Sequence, residues 1–409
     1  MSSVRYITIL GFLLTSIGAL SSSAAEPEII EEAEMLIEEK SNTPVSPDQS
    51  SSILRKNRIR SYVLIDGSRA TGSNDDKTYF PNVQLSFSGD FHLRTESFFL
   101  IDVVADYDRK SEYSDSFFNQ VGFRSKLSEH VQYFIGKERN RRSPGLIVSP
   151  SDFIYANTSL PGQREDRKGV WLARASYQEI NHSFDLIALP VQHETAEGTP
   201  ESRQDSVEGA IRGLKQFSNF DISFMVGKYL GTSRGGLSVQ TFLENKYKLY
   251  LEVGTQEQSK LYNNATRLYP VQRLFGIGYE GTQDFAARLE FYENGQGLNP
   301  DEFSQMMQMF ALAPGLSVSG NSQLNPFLRQ KYLIASLSWM EIFDKYNVTF
   351  SVIKSVEDDS ALGVSRLEYM ATDKALFGAS LNQVHGGLGS QYRYRNHDSQ
   401  AIVDLKYSF

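Results

Sequence analysis

The sequence predicts an all-β fold, a transmembrane antiparallel up-and-down β-barrel of about 18 strands with about 16 as the alternative, preceded by a short helix and linker. Three observations predict it. At the end of the chain, apolar Ala401, Val403, Leu405, Tyr407 and Phe409 alternate with Asp404, Lys406 and Ser408, so one face suits lipid and the other water. Segments with this period recur from Ile53 onward, and no helical periodicity of comparable length competes before Asn299. The connections between them sort into short turns and long loops in alternation, as an up-and-down barrel in a membrane requires.

The elements follow in order. Arg5, an apolar run from Ile7 to Leu20, and Ser21-Ser-Ser-Ala-Ala25 read as a secretory signal peptide over 1–25. Residues 26–52 form a separate acidic unit. Ile29, Ile30, Ala33, Leu36 and Ile37 share a helical face among glutamates, and residues 41–52 read as a linker rich in Ser, Pro and Asn. The barrel is expected over 53–409, with strands near 55–66, 80–94, 96–108, 116–127, 130–138, 168–178, 181–191, 205–216, 218–230, 236–244, 246–256, 270–281, 283–293, 330–342, 345–356, 362–371, 374–384 and 399–409. Turns such as 128–130, 179–181, 216–218, 280–283 and 372–374 are short. Interleaved with them are long connections at 67–79, 139–167, 192–204, 258–268, 294–329 and 383–399. Within the loop at 294–329, Asn299 before Pro300, acids in the first turn, and Phe303, Met306, Met307 and Phe310 on one face predict a short helix.

The period of two assigns faces. Phe99, Ile101, Val103, Ala105 and Tyr107, then Tyr247, Leu249, Leu251 and Val253, then Phe285, Ala287, Leu289 and Phe291 are expected to face lipid. Asp102 and Asp106, Lys248 and Glu252, and Arg288 and Glu290 then line a wet lumen.

Composition narrows the function. The chain has no cysteine, which excludes thiol catalysis, thiolate metal sites and disulfides. A net charge of -8 concentrates in the acidic unit, so no basic stripe points to nucleic acid. His92, His130, His182, His193, His385 and His397 are scattered singly, giving neither a metal-ligand pair nor a Ser-His pairing, so no enzyme, metal or cofactor is expected. A mean hydropathy of -0.36 suits a chain in which only every second strand residue meets lipid.

The terminal strand ending in Phe409 resembles the last strand of Gram-negative outer-membrane β-barrels. That resemblance implies that Phe409 is an assembly signal read by the barrel-assembly machinery, that the barrel sits in the outer membrane among lipids and lipopolysaccharide, and that the acidic unit lies in the periplasm. A second resemblance rests on Ile135-Gly-Lys-Glu-Arg-Asn-Arg-Arg-Ser-Pro-Gly-Leu-Ile-Val-Ser-Pro-Ser-Asp152. It is similar to porin-like proteins, including alginate-export-type and substrate-selective barrels, in which a strand ending in Gly and basic residues leads to a Gly-x-x-x-x-Pro-x-Asp loop. Arg142-Ser143-Pro144 stands where those proteins carry a Trp before the glycine. The resemblance implies that such a loop folds into the lumen.

Lys137, Arg139, Arg141 and Arg142, with Arg164, Arg167 and Lys168 at the return, then concentrate positive charge near one rim. They form a constriction that attracts anions, or bind lipopolysaccharide phosphates, or pair with Glu138, Glu165 and Asp166. Asp102, Asp106, Arg288 and Glu290 are the remaining pore candidates. The expected activity is porin-like passive diffusion of small hydrophilic or anionic solutes, with a homo-oligomer allowed. The alternatives are a polysaccharide-secretion conduit and a plugged surface adhesin or receptor.

Overall fold

The computed structural model describes residues 58–71, 78–94, 97–108, 113–139, 143–155, 169–194, 203–244, 246–260, 266–282, 284–312, 327–387, 390–392 and 399–408. The expected signal peptide, the acidic unit over 26–52, and Arg141, Arg142, Arg164, Arg167 and Phe409 lie outside the described residues.

Among the described residues, twenty strands and one helix follow in chain order. The first ten strands are β1 (Arg58–Thr71), β2 (Thr78–Arg94), β3 (Ser97–Asp108), β4 (Tyr113–Lys126), β5 (Val131–Glu138), β6 (Val170–Glu179), β7 (His182–Glu194), β8 (Arg203–Gln216), β9 (Phe220–Tyr229) and β10 (Thr232–Leu243). Then come β11 (Tyr247–Gln256), β12 (Gln258–Lys260), β13 (Thr266–Leu268), β14 (Val271–Thr282) and β15 (Phe285–Asn294). After helix α1 (Pro300–Leu312) come β16 (Lys331–Ile342), β17 (Tyr346–Ser355), β18 (Ala361–Thr372), β19 (Ala375–His385) and β20 (Ser399–Ser408).

Eighteen of these strands form one sheet. Each pairs antiparallel with the next, β11 passing directly to β14, and β20 returns to β1 in a register running from Tyr62 opposite Ser408 to Thr71 opposite Ser399. The pairing therefore closes on itself, and none of these eighteen strands is left with an open edge. The small hairpin β12–β13, which the sequence reading left as loop, stands outside the ring.

The short turns keep to one rim, but the other rim is not uniformly long, since β3–β4 and β17–β18 are joined by only four and five residues. On the long-loop rim, β9 and β10 are joined by Leu230-Gly231 alone. Both residues have positive φ, 53° and 79°, the backbone of a type I′ turn that continues the right-handed twist of the two strands. The hydroxyl of Thr232 donates to the Tyr229 carbonyl at 3.1 Å and fastens the turn.

The faces fall as the period dictates. On β11, Tyr247 and Leu251 are exposed while Tyr250 and Glu252 are buried; on β15, Leu289 and Phe291 are exposed while Glu290 and Tyr292 are buried. Phe275, Leu333, Leu337 and Phe350 continue the exposed apolar belt across β14, β16 and β17. Water would reject so large a contiguous apolar surface, and lipid accepts it. At the short-turn rim the belt ends in touching rings. Tyr247 meets Tyr279 at 5.2 Å, Tyr279 meets Phe285 at 5.9 Å, and Phe285 meets Trp339 at 4.9 Å between centroids. Such rings are amphipathic or bulky enough to sit at the headgroup level, so they form an interfacial girdle.

Candidate functional site

Residues 143–155, which follow β5, lie inside the ring. Two carboxylates on the inward register hold them. Glu252 of β11 accepts the Ser143 hydroxyl at 2.6 Å, the Gly145 amide at 2.8 Å, and the Ser151 hydroxyl and amide at 2.7 and 3.2 Å. Glu290 of β15 accepts the Leu146 amide at 2.5 Å and the Tyr250 hydroxyl. Both glutamates are 0% exposed. A buried carboxylate is expensive unless donors replace its water, and here the loop backbone and serine hydroxyls do so.

The loop can come this close because the wall is notched beneath it. A Cβ on Gly254 would stand 2.0 Å from the Pro150 carbonyl oxygen, and one on Gly236 would stand 2.5 Å from the Ser151 Cα. Past the notch, Ile147 enters a dry cluster with Tyr250, Leu274, Tyr292, Phe327, Tyr332 and Ile334. Ile154 and Tyr155 enter another with Phe134, Leu172, Ile187, Leu189, Ala210 and Met225. With Ile353 of β17 and Val364 of β18 in the same cluster as Ile147, the loop is wedged against the wall from β5 round to β18.

Beneath its far end runs a row of alternating charges, of which the sequence reading named Glu138 as a pairing partner and Asp152 in the loop motif but not Arg124, Arg174, Asp185 or Arg212. Arg174 donates to Glu138 at 2.7 and 3.2 Å, and Arg124 reaches the same carboxylate at 2.9 Å. Arg212 donates twice to one oxygen of Asp185, at 2.6 and 2.8 Å, and its other nitrogen lies 3.7 Å from Asp152 of the loop. Asp152 also accepts the Ile154 and Tyr155 amides, turning the loop at that point. Each strand member is an inward position, and Asp152 stands at the turn of the loop. The signal of a strand member in the sequence was a charged residue on the register opposite an exposed apolar one, as Arg174 stands between Ala173 and Ala175.

The sequence-derived candidates fall into several places. Arg139, the residue after β5, lies 3.7 Å from Asp102 of β3, so the structure brings these two together. Lys137 pairs in register with Val121 and with Trp171, an exposed outward residue, and shares their outward face. It is therefore placed away from the lumen, because Ile135 and Lys137 share one face and Phe134 and Glu138 the other. Arg288 is inward and donates to Glu280 at 2.8 Å near the short-turn rim. Glu290 is inward, but the loop covers it, so it faces the Leu146 amide and not water. Asp106 occupies β3 opposite Gln84 and Asp115, and its side chain lies outside the description.

At the long-loop rim, α1 is present where the sequence placed a helix. Asn299 and Glu302 cap it reciprocally, each accepting the other's amide at 2.9 and 2.8 Å. Phe303 and Met306 pack with Leu298, Met307 and Leu328 of the same connection. The Arg329 guanidinium lies 4.6 Å from the Phe303 ring centroid and 3.3 Å from Glu357. Asp358 accepts the Ser360 hydroxyl and amide at 2.6 and 3.1 Å and the Gln391 amide at 3.0 Å. Burial raises the Asp358 pKa, but these donors outweigh it and hold the carboxyl below its ordinary value.

No protein-family model matches the chain, and no curated protein matches its sequence. Solved structures do match. OccK11 (OpdR) of Pseudomonas aeruginosa aligns over 86% of this chain and 96% of its own, at 10% identity and a TM-score of 0.52. OccAB3 of Acinetobacter baumannii aligns over 87% and 99% at 9% identity with a TM-score of 0.54, and OccAB1 of the same organism over 88% and 98% with the same two values. These neighbours are Gram-negative outer-membrane porins. This chain shares their fold, a closed antiparallel β-barrel. With identity this low the likeness speaks for architecture, and the chemistry of the lumen has to be read from this chain's own residues.

Proposed function

We propose that the protein is an outer-membrane, porin-like channel for passive diffusion of small hydrophilic or anionic solutes. The observation that carries this reading is the segment 143–155, drawn into a closed ring of strands and fastened there by Glu252 and Glu290. A loop inside a closed wall narrows the passage without needing a moving part. The selection it imposes is by size and by the polar groups that remain beside it. The outer membrane is the compartment that fits a porin fold with an outward apolar belt and a terminal strand of this pattern. In that setting the acidic unit over 26–52 belongs to the periplasm. Lipopolysaccharide and the assembly machinery are then the expected macromolecular contacts, and transport, not catalysis, is the activity.

Purified protein in planar bilayers is expected to show stepwise single-channel currents. Absence of any current over many insertions would sink the channel reading. It would favour the plugged receptor, to which the dry cluster around Ile147, Tyr292 and Tyr332 lends some support.

A further inference from the structure

We propose that the outward wall of β14 to β17 carries a docking site for a phosphorylated glycolipid of the outer leaflet, the lipid A part of lipopolysaccharide, with its phosphates on Arg273, Lys331 and Lys354 and its acyl chains on the apolar belt beside them. This rests on the outer-membrane reading above and names where on the wall that lipid contact resides.

The outward register of these four strands changes character along the wall. From the girdle of Tyr279, Phe285 and Trp339 at the short turns it runs through exposed apolar positions, the last of them Phe275, Phe291, Leu333 and Val352. Next come Arg273 of β14, Glu293 of β15 and Lys331 of β16, opposite one another in a single row, while Lys354 of β17 stands opposite Leu333. Eight residues separate Phe285 from Glu293 and Trp339 from Lys331. At about 3.4 Å per residue and a tilt of about 40°, that is about 20 Å across the membrane, near the roughly 25 Å height of a barrel's apolar band. The row therefore stands where the headgroups of the opposite leaflet begin, and in barrels of this class the long loops beyond it face the cell exterior.

The row is open and rich in donors. The Arg273 side chain is 57% exposed and that of Lys354 47%, and Lys331 is exposed as well. Arg273 gives one nitrogen to Glu293 at 2.6 Å, and Lys354 reaches Asp359 at 3.0 Å. Exposed pairs of this kind hold their partners weakly, so a phosphate exchanges into them, and the guanidinium fork and two ammonium groups supply charge-assisted bonds to its oxygens. Neighbouring strands lie about 4.8 Å apart, which sets the backbones of Arg273 and Lys331 about 10 Å apart and Lys354 one strand further. A headgroup with a single phosphate meets one end of this span, whereas a disaccharide with a phosphate at each end reaches both. Elsewhere on this rim Lys137 is paired in register with Val121 and Trp171, and Lys228 with Ser233, so neither stands in such a row.

Four proteins test the site: the parent, a triple variant with Arg273→Ala, Lys331→Ala and Lys354→Ala, the single variant Lys331→Gln, and a control with Lys137→Ala and Lys228→Ala. Each is refolded in detergent, checked for heat-modifiability, and titrated with bisphosphorylated lipid A, the same lipid after dephosphorylation, and phosphatidylglycerol, bound lipid being counted by native mass spectrometry. Bisphosphorylated lipid A is expected to bind the triple variant about tenfold and Lys331→Gln about threefold more weakly than the parent, and to bind the control as it binds the parent. Dephosphorylated lipid A should bind all four alike and weakly. Undiminished binding in either variant of the row, an equal loss in the control, or phosphatidylglycerol binding the parent as tightly as lipid A overturns the site. The parent is also recorded in planar bilayers. Current without phosphate-dependent binding overturns this site alone, whereas phosphate-dependent binding without current overturns the channel reading and leaves the site standing.

Discussion

Replacing Glu252 by alanine is the sharpest test of how the inward loop is held. In the native chain its carboxylate accepts the amides of Gly145 and Ser151 and the hydroxyls of Ser143 and Ser151. Hydroxyls can rotate toward other acceptors, whereas the two amides are fixed by the backbone, and the Ser143 hydroxyl 3.4 Å from the Gly145 amide replaces the carboxylate only weakly. Each buried amide left unsatisfied costs about 1–3 kcal/mol, so the docked loop loses about 2–6 kcal/mol from these two alone. A loss of about 3 kcal/mol, near the lower end, moves the docked-to-released ratio about a hundredfold, since about 1.4 kcal/mol is tenfold. The wall should survive, because the ring pairings of β11 with β10 and β14 are backbone bonds that the substitution leaves in place. In planar bilayers Glu252→Ala is therefore expected to give a larger and noisier single-channel current than the parent, with heat-modifiability unchanged. Glu252→Gln should fall between the two, since its amide oxygen keeps one acceptor while its NH2 opposes the loop's donors. If Glu252→Ala conducts with the parent's amplitude and noise, the loop is held by Ile147, Ile154 and the other contacts, and the carboxylate argument fails.

Changing Arg139, Arg141 and Arg142 together to serine should shift the reversal potential in a salt gradient toward cation preference, measured at low salt because the Debye length at 0.1 M is only about 10 Å; an unaltered potential assigns these arginines to the rim or to lipid. Deleting Phe409, or Phe409→Asp, should lower the amount of folded protein in the outer membrane and leave precursor and fragments in the periplasm. Undiminished heat-modifiable protein would show that the terminal signature was misread. The carboxyl of Asp358 lies below its ordinary pKa when folded, so its contribution to the outer-loop cluster is present above the unfolded value of about 3.9 and is lost as pH falls through the folded one. Hydrogen exchange at the Gln391 amide should therefore stay protected at neutral pH and lose protection in strong acid. In Asp358→Asn that acid step should vanish, and its persistence would contradict the assignment.

The strands were legible because their signal is local and repeated. Burial on one side and lipid on the other forces a period of two, and all eighteen barrel strands fall within a few residues of the spans that this period marks. The capped helix at Pro300 was legible for a similar reason, since Asn299 and Glu302 carry the capping pattern in adjacent sequence. The same period also contains the placement of Lys137. Ile135 lies on the outward register, so a residue two positions on shares its face, and grouping Lys137 with its basic neighbours in the sequence hid that relation.

The lumen was not legible in this way, because strand period fixes the face of a residue and not what meets it there. Glu252 and Glu290 read from the sequence as water-facing lining, yet their loop partners lie more than a hundred residues away in a connection that has no period at all. An inward carboxylate looks the same in sequence whether it faces water or a serine hydroxyl. One local trace did exist. Gly236 and Gly254 sit on the inward register of β10 and β11, directly opposite each other and next in that register to Ser238 and Glu252, which are likewise paired. A glycine inside a strand weakens it unless something must approach closely, and two of them facing each other across neighbouring strands mark a notch in the wall. Gly-Leu-Ile-Val-Ser-Pro-Ser-Asp, with its small residues at Gly145, Ser149 and Ser151, is the segment shaped to enter such a notch. The pairing of notch with carboxylate thus carried the position of the inward loop, in a pattern that only a barrel register, once established, makes readable.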